Sequence, residues 1–178
     1  MTIKPIPGYP ISMNNWNGNM AWMVNDPAYL TDGHLLFKSS ALSDHKRKIL
    51  FGTGRNVGRP TLSESCVRRY VAEGTKRMRV EVAPEPELYR STLYPDAPLS
   101  IVKITARKGK KSLTRYFNIL LYNLAVGYLK PDSIKMEVRP SCGGSNILSF
   151  HRNDELVGAL ISLIPNIDVV AIQEKLSS

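Results

Sequence analysis

Polar and apolar positions along the chain alternate with two different periods. Lys76 to Val82 sets Met78, Val80 and Val82 against Arg77, Arg79 and Glu81, the period-two pattern of a half-buried strand. Met20 to Val24 and His34 to Lys38 predict two shorter strands, separated by the turn signals Asn25-Asp26-Pro27 and Thr31-Asp32-Gly33. Leu99 to Arg107 predicts a further strand that runs into the basic turn Lys108-Gly109-Lys110-Lys111. Ile134 to Arg139 and Asn146 to Arg152 read as a hairpin joined through Pro140-Ser141-Cys142-Gly143-Gly144-Ser145.

Helical spacing occupies the stretches between. Ser40 to Leu50 predicts one helix. A second begins at Thr61, where Glu64 three residues on completes a capping box; it places Leu62, Cys66, Tyr70 and Val71 on one face and stops at Gly74. Ser112 to Tyr128 carries Leu113, Tyr116, Phe117, Leu120, Leu121 and Leu124, which predicts a largely buried helix, although its first half also alternates and leaves a strand reading open. Asp154 and Glu155 open a final predicted helix, where acidic residues complement the dipole; Pro165 interrupts it before Asp168 to Leu176.

Residues 1–19 are expected to form an extended arm or loop, because Pro5, Pro7 and Pro10 remove donors and Asn14, Asn15, Asn17, Gly18 and Asn19 favour turns. Residues 20–178 are expected to form one α+β domain, a mostly antiparallel sheet packed on three to five helices. Its Pro-rich internal loop spans 83–98 and holds Pro84, Pro86, Pro95 and Pro98.

Composition fits that picture. A chain of 178 residues that is 43% hydrophobic is long enough to bury a sizeable core. No apolar run approaches the ~18 residues of a membrane span, and no secretory leader is visible at the start. Two cysteines, Cys66 and Cys142, are too few for a disulfide framework, so a reducing, cytoplasmic setting is the expectation.

Charge changes the picture more. The net charge is +9, and it is concentrated. Between Lys46 and Arg79 lie ten basic residues and only two acidic ones, Glu64 and Glu73; between Lys103 and Arg115 lie six basic residues and no acidic one. Clustered like charges repel, and a polyanionic partner relieves that repulsion. The competing reading is a solvated basic face.

Two segments are candidate phosphate sites. The loop Gly52-Thr53-Gly54-Arg55-Asn56-Val57-Gly58-Arg59-Pro60 matches neither the dinucleotide nor the nucleoside-triphosphate glycine pattern. It nonetheless brings backbone amides, Arg55 and Arg59 to a predicted helix N-terminus, with Arg68 and Arg69 beyond the apolar stripe of that helix. In the second segment Lys108, Lys110 and Lys111 crowd what is either a helix start or a hairpin tip; a bound phosphate suits the first and reach along a nucleic-acid groove the second. Trp16, between Asn15 and Asn17, is the candidate ring for stacking an unpaired base.

Enzyme signatures are weak. His34, His45 and His151 show no metal-ligand spacing, the cysteines form no C-x-x-C pair, and Asp32 with His34 or Asp44 with His45 are the only neighbouring acid/base candidates. No cofactor is expected. The leading expectation is a non-catalytic nucleic-acid-binding protein that contacts phosphates of RNA or DNA through Arg55, Arg59, Arg68, Arg69, Lys108, Lys110 and Lys111. The alternatives are a binder of a small phosphorylated ligand such as a nucleotide, and a basic inhibitor that docks on a larger enzyme.

Overall fold

The computed structural model describes residues 1–11, 21–23, 26–31, 34–51, 77–80, 85–90, 98–137 and 147–163. These hold ten strands and two α-helices: β1 (Ala21–Met23), β2 (Asp26–Thr31), β3 (Leu35–Lys38), α1 (Asp44–Phe51), β4 (Arg77–Val80), β5 (Glu85–Arg90), β6 (Pro98–Lys108), β7 (Lys111–Asn118), α2 (Ile119–Leu129), β8 (Ser133–Glu137), β9 (Ile147–Arg152) and β10 (Glu155–Ile161). A 3₁₀ turn, Ser39–Ala41, leads into α1. The architecture is therefore mostly β. The expected sheet on three to five helices is corrected to ten strands and two α-helices among the described residues.

All strands join one antiparallel sheet in the order β1-β2-β3-β10-β9-β8-β4-β6, with β4 and β5 following each other along one edge of β6 and β7 on its other edge. Three sequence expectations change for identifiable reasons. Ser112 to Asn118 is strand β7, not the first half of a helix; the two-residue turn Gly109-Lys110, with Gly109 at φ 60°, folds it back on β6. Glu155 to Ile161 is strand β10, not a helix, because Asn153 and Asp154 take φ 53° and 61° and close a two-residue hairpin from β9. Within the Pro-rich stretch, Glu85–Arg90 forms β5, which pairs with β6 alone among the described strands, so the missing N–H of Pro86 is tolerated there. The helix expected at 61–74 and the segment 164–178 lie outside the described residues.

The sheet curls about α2. That helix, ILLYNLAVGYL, is apolar around its circumference except at Asn123 and packs against β3, β10, β9, β6 and β7, strands from both sides of the sheet order. The N–H of Leu163, just past β10, reaches the Tyr116 carbonyl of β7 at 2.9 Å. Ile119, Tyr122, Leu124, Val126 and Leu129 are buried with Phe37, Phe117, Leu148 and Phe150, each large side chain worth about 1.5–3 kcal/mol in removal from water.

Both ends of α2 are closed. The Asn118 side chain accepts from the N–H groups of Leu120 and Leu121 at 2.9 and 3.3 Å. At the other end Lys130 turns left-handed at φ 49° and donates its N–H to the Val126 carbonyl; Lys46 Nζ donates to the Tyr128 carbonyl at 2.8 Å, and Arg152 to that of Leu129 at 3.2 Å. Burial holds the Lys46 ammonium below its ordinary pKa, and its neighbours Lys130 and Arg152 press it the same way.

Residues 1–11 have no helix or strand but are packed down, with Ile6 buried and Ile3 and Tyr9 against the core. Asn123, buried in the middle of α2, hydrogen-bonds the Ile6 and Tyr9 backbone.

Candidate nucleic-acid interface

The register of the sheet sorts its outward face into two halves. One continuous row of directly opposed residues crosses the strands in the sequence Ser112, Arg107, Arg79, Lys135, Ser149, Ala159, Leu36 and Thr31. Over β9, β10, β3 and β2 this face is apolar and buried: Leu36, Ala159, Ile147 and Tyr29 form a cluster separate from the main core. Over β8, β4, β6 and β7 the positions on this side are mostly basic and polar in sequence, with the buried Ile101 of β6 among them. The division follows from sequence, since in β6 Val102, Ile104 and Ala106 point inward and are buried whereas Lys103 and Arg107 alternate with them and are exposed.

The β6–β7 hairpin carries the densest charge. Lys108 and Lys111 stand directly opposite each other, with Lys110 in the turn between, and all three are exposed together with Lys103 and Arg107. Thr105 and Thr114, whose hydroxyls meet at 2.8 Å, and the half-buried Tyr116 opposite Lys103 share the outward face with Lys103 and Arg107, whereas Lys108 and Lys111 fall on the other side of the alternation. Arg115 lies on the inward side opposite Ile104, and its guanidinium donates to the Thr114 carbonyl at 2.7 Å.

Of the residues singled out from sequence, Lys108, Lys110 and Lys111 are brought together at this tip. Arg55, Arg59, Arg68, Arg69 and Trp16 lie outside the described residues, as do Cys66 and Cys142. The hairpin geometry replaces the helix start that would have set the three lysines against a dipole. Lys103 and Arg107 were legible as a period-two face of the predicted strand; Lys135 was not, because only the register puts it beside β4.

Of the acid/base candidates, Asp32 lies outside the described residues. Asp44 pairs with Arg47 on α1, leaving His45 exposed on the same helix. His151 is buried with its Nε2 3.0 Å from the Ser149 hydroxyl, which itself lies 3.0 Å from the Lys135 carbonyl. Among the described residues no three His, Cys, Asp or Glu side chains gather as a metal site, and no helix is long and apolar enough to cross a membrane. Comparison with known proteins returns no match: no family model, no curated protein and no solved structure is similar to this chain.

Proposed function

We propose that this protein binds nucleic acid without transforming it, through phosphate contacts centred on the β6–β7 hairpin. The observation that supports this reading is the tip itself: Lys108, Lys110 and Lys111 are exposed within 1 hairpin that also presents Lys103 and Arg107 and has no acidic residue between positions 103 and 115. Opposed lysines across a strand pair destabilise a sheet, so an anion bound between them relieves a cost the fold carries alone. The basic stretch Lys46 to Arg79 extends the same charge along the chain. A reducing, cytoplasmic setting belongs to the proposal, supported by the presence of only two cysteines.

The test is fluorescence anisotropy with labelled RNA and DNA at ~50 and ~200 mM salt, because each neutralised phosphate releases counterions and steepens the salt dependence. Binding that weakens sharply over this range is expected, and Lys110→Ala with Lys111→Ala is expected to lower the slope of log K against log salt by about 1–2. Absence of binding at the lower salt overturns the proposal.

A further inference from the structure

Among the described strands β7 has a neighbour on one edge only, β6. The register says which of its backbone groups face the other way. Lys108 and Lys111 flank the two-residue turn and so exchange backbone hydrogen bonds, and such pairs alternate with non-hydrogen-bonded ones along the ladder. Leu113, Arg115 and Phe117 therefore bond to β6, whereas the N–H and C=O groups of Ser112, Thr114 and Tyr116 point away from it. Two contacts agree. The Thr105 and Thr114 hydroxyls meet at 2.8 Å, the close approach of a non-hydrogen-bonded pair, and the Tyr116 carbonyl accepts from Leu163, which is not part of β6.

This edge is only partly occupied. Leu163 takes the Tyr116 carbonyl at 2.9 Å, and the Arg115 guanidinium takes the Thr114 carbonyl at 2.7 Å. The Ser112 N–H and C=O and the Thr114 N–H have no partner among the described residues. Unpaired groups in such a row are a template for a further strand, and Leu163 already supplies one rung of it.

We propose that the β7 edge at Ser112–Thr114 receives an extended acidic segment of a partner protein as an added strand. Backbone bonds hold such a strand, and its alternate side chains give specificity. The partner residue opposite Leu113 meets a half-buried side chain packed on the core, so an apolar group fits there. Two positions away on the same face, the residue opposite Lys111 meets an exposed ammonium, so a carboxylate fits. Antiparallel addition, the pairing used throughout this sheet, then reads an apolar residue, any residue and an acidic residue in that order.

Charge decides against a second copy of this chain. Parallel self-pairing sets Lys111 directly against its counterpart, and antiparallel pairing about Ser112 sets the two on the diagonal, about 7–8 Å apart. Lys108 and Lys110 add to the repulsion from both copies. The lysines thus guard the edge against self-association while favouring an anionic strand. This inference goes beyond nucleic-acid binding and does not depend on it.

The experiment titrates the labelled, end-capped peptide Thr-Val-Thr-Glu-Thr-Glu into the full chain by fluorescence anisotropy. Two modified peptides carry one N-methyl group each, on the central threonine, whose N–H would face Ser112, or on the valine, whose N–H would face away. A fourth peptide has lysine in place of both glutamates. The protein variants are Lys110→Ala/Lys111→Ala and Ser112→Pro, which removes an N–H that the β6 ladder does not use. Thermal melts check each fold, and the N-methyl pair reads the same bond on the wild-type chain if Ser112→Pro melts early. Methylation of the threonine and Ser112→Pro should each weaken binding by roughly tenfold or more, the factor for one lost hydrogen bond, whereas methylation of the valine should not. The lysine double variant should weaken it several-fold, and bound peptide should slow amide exchange at Ser112 and Thr114. No binding at millimolar peptide overturns the proposal, as do equal effects of the two N-methyl groups or equal binding of the lysine peptide. Slowed exchange at these amides on self-association, or with an oligonucleotide but not the peptide, overturns it in favour of that occupant. None of these outcomes decides whether the chain binds nucleic acid.

Discussion

The Asn123 side-chain amide holds the Ile6 backbone from both sides: its Oδ1 accepts the Ile6 N–H at 2.8 Å and its Nδ2 donates to the Ile6 carbonyl at 2.9 Å. The same Nδ2 lies 3.2 Å from the Tyr9 carbonyl. One buried polar side chain in an otherwise apolar helix therefore satisfies a segment that has no strand partner. Asn123→Ala leaves a buried donor and acceptor without partners, and a loss of about 2–4 kcal/mol is expected in urea unfolding. Amide exchange at Ile6 should accelerate more than at positions in β6 or β9, which locates the loss in the arm.

Tyr122 is the opposite case. Its hydroxyl is fully buried and finds no hydrogen-bond partner among the described residues, while its ring packs 6.2 Å from that of Phe150. Tyr122→Phe keeps the packing and removes the desolvated group, so a gain of up to about 1 kcal/mol is expected. Burial also pushes the phenol pKa well above its ordinary 10.0. The folded state thus keeps the proton that the unfolded chain loses near 10.0, and the contribution to stability is complete below that pH and declines above it. Denaturation followed between neutral and alkaline pH should show this decline, and Tyr122→Phe should flatten it.

Gly158 in β10 sits at a close approach of strand and helix. A Cβ there would lie 2.5 Å from Leu129 Cδ1 and 2.7 Å from the Leu36 carbonyl oxygen. The leucine side chain can shift but the β3 backbone cannot do so cheaply, so Gly158→Ala is expected to cost about 1–3 kcal/mol in thermal or chemical denaturation.

Asn118 caps α2 where the chain leaves β7. Asn118→Ala should cost about 1 kcal/mol, and Asn118→Asp should recover it because a carboxylate accepts the same N–H groups. A comparison of the two variants by denaturant midpoint checks this.

Strands whose charged and apolar positions alternate were readable from sequence. Met78 and Val80 against Arg77 and Arg79, and Val102, Ile104 and Ala106 against Lys103 and Arg107, gave β4 and the body of β6 through simple alternation. The strand β10 was not readable, because it is paired on both edges and covered on both faces, and Val157 to Leu160 then look like any buried apolar run. The Asn153-Asp154 pair that closes its hairpin has the same composition as a helix start. For Ser112 to Leu129 the two periods overlap, and the decisive residue is Asn118, whose capping bonds separate strand from helix. Of the candidate site, the lysine tip followed from charge alone. The Lys135–Arg79–Arg107 row depends on strand register between distant segments, which no local pattern encodes.

Pairing between β3 and β10, through Leu36 and Ala159, also sets the order of events at the ribosome. At roughly 5–20 residues per second, the first strands emerge on the order of ten seconds before β10 is made. During that interval β3 has an unmatched edge and carries Leu35, Leu36 and Phe37, which all become fully buried only in the finished sheet. A nascent chain stopped before Glu155 would present a sticky template instead of a smaller folded unit. Truncations upstream of β10 should therefore partition to aggregates or holding chaperones, and productive folding should begin only as β10 leaves the exit tunnel.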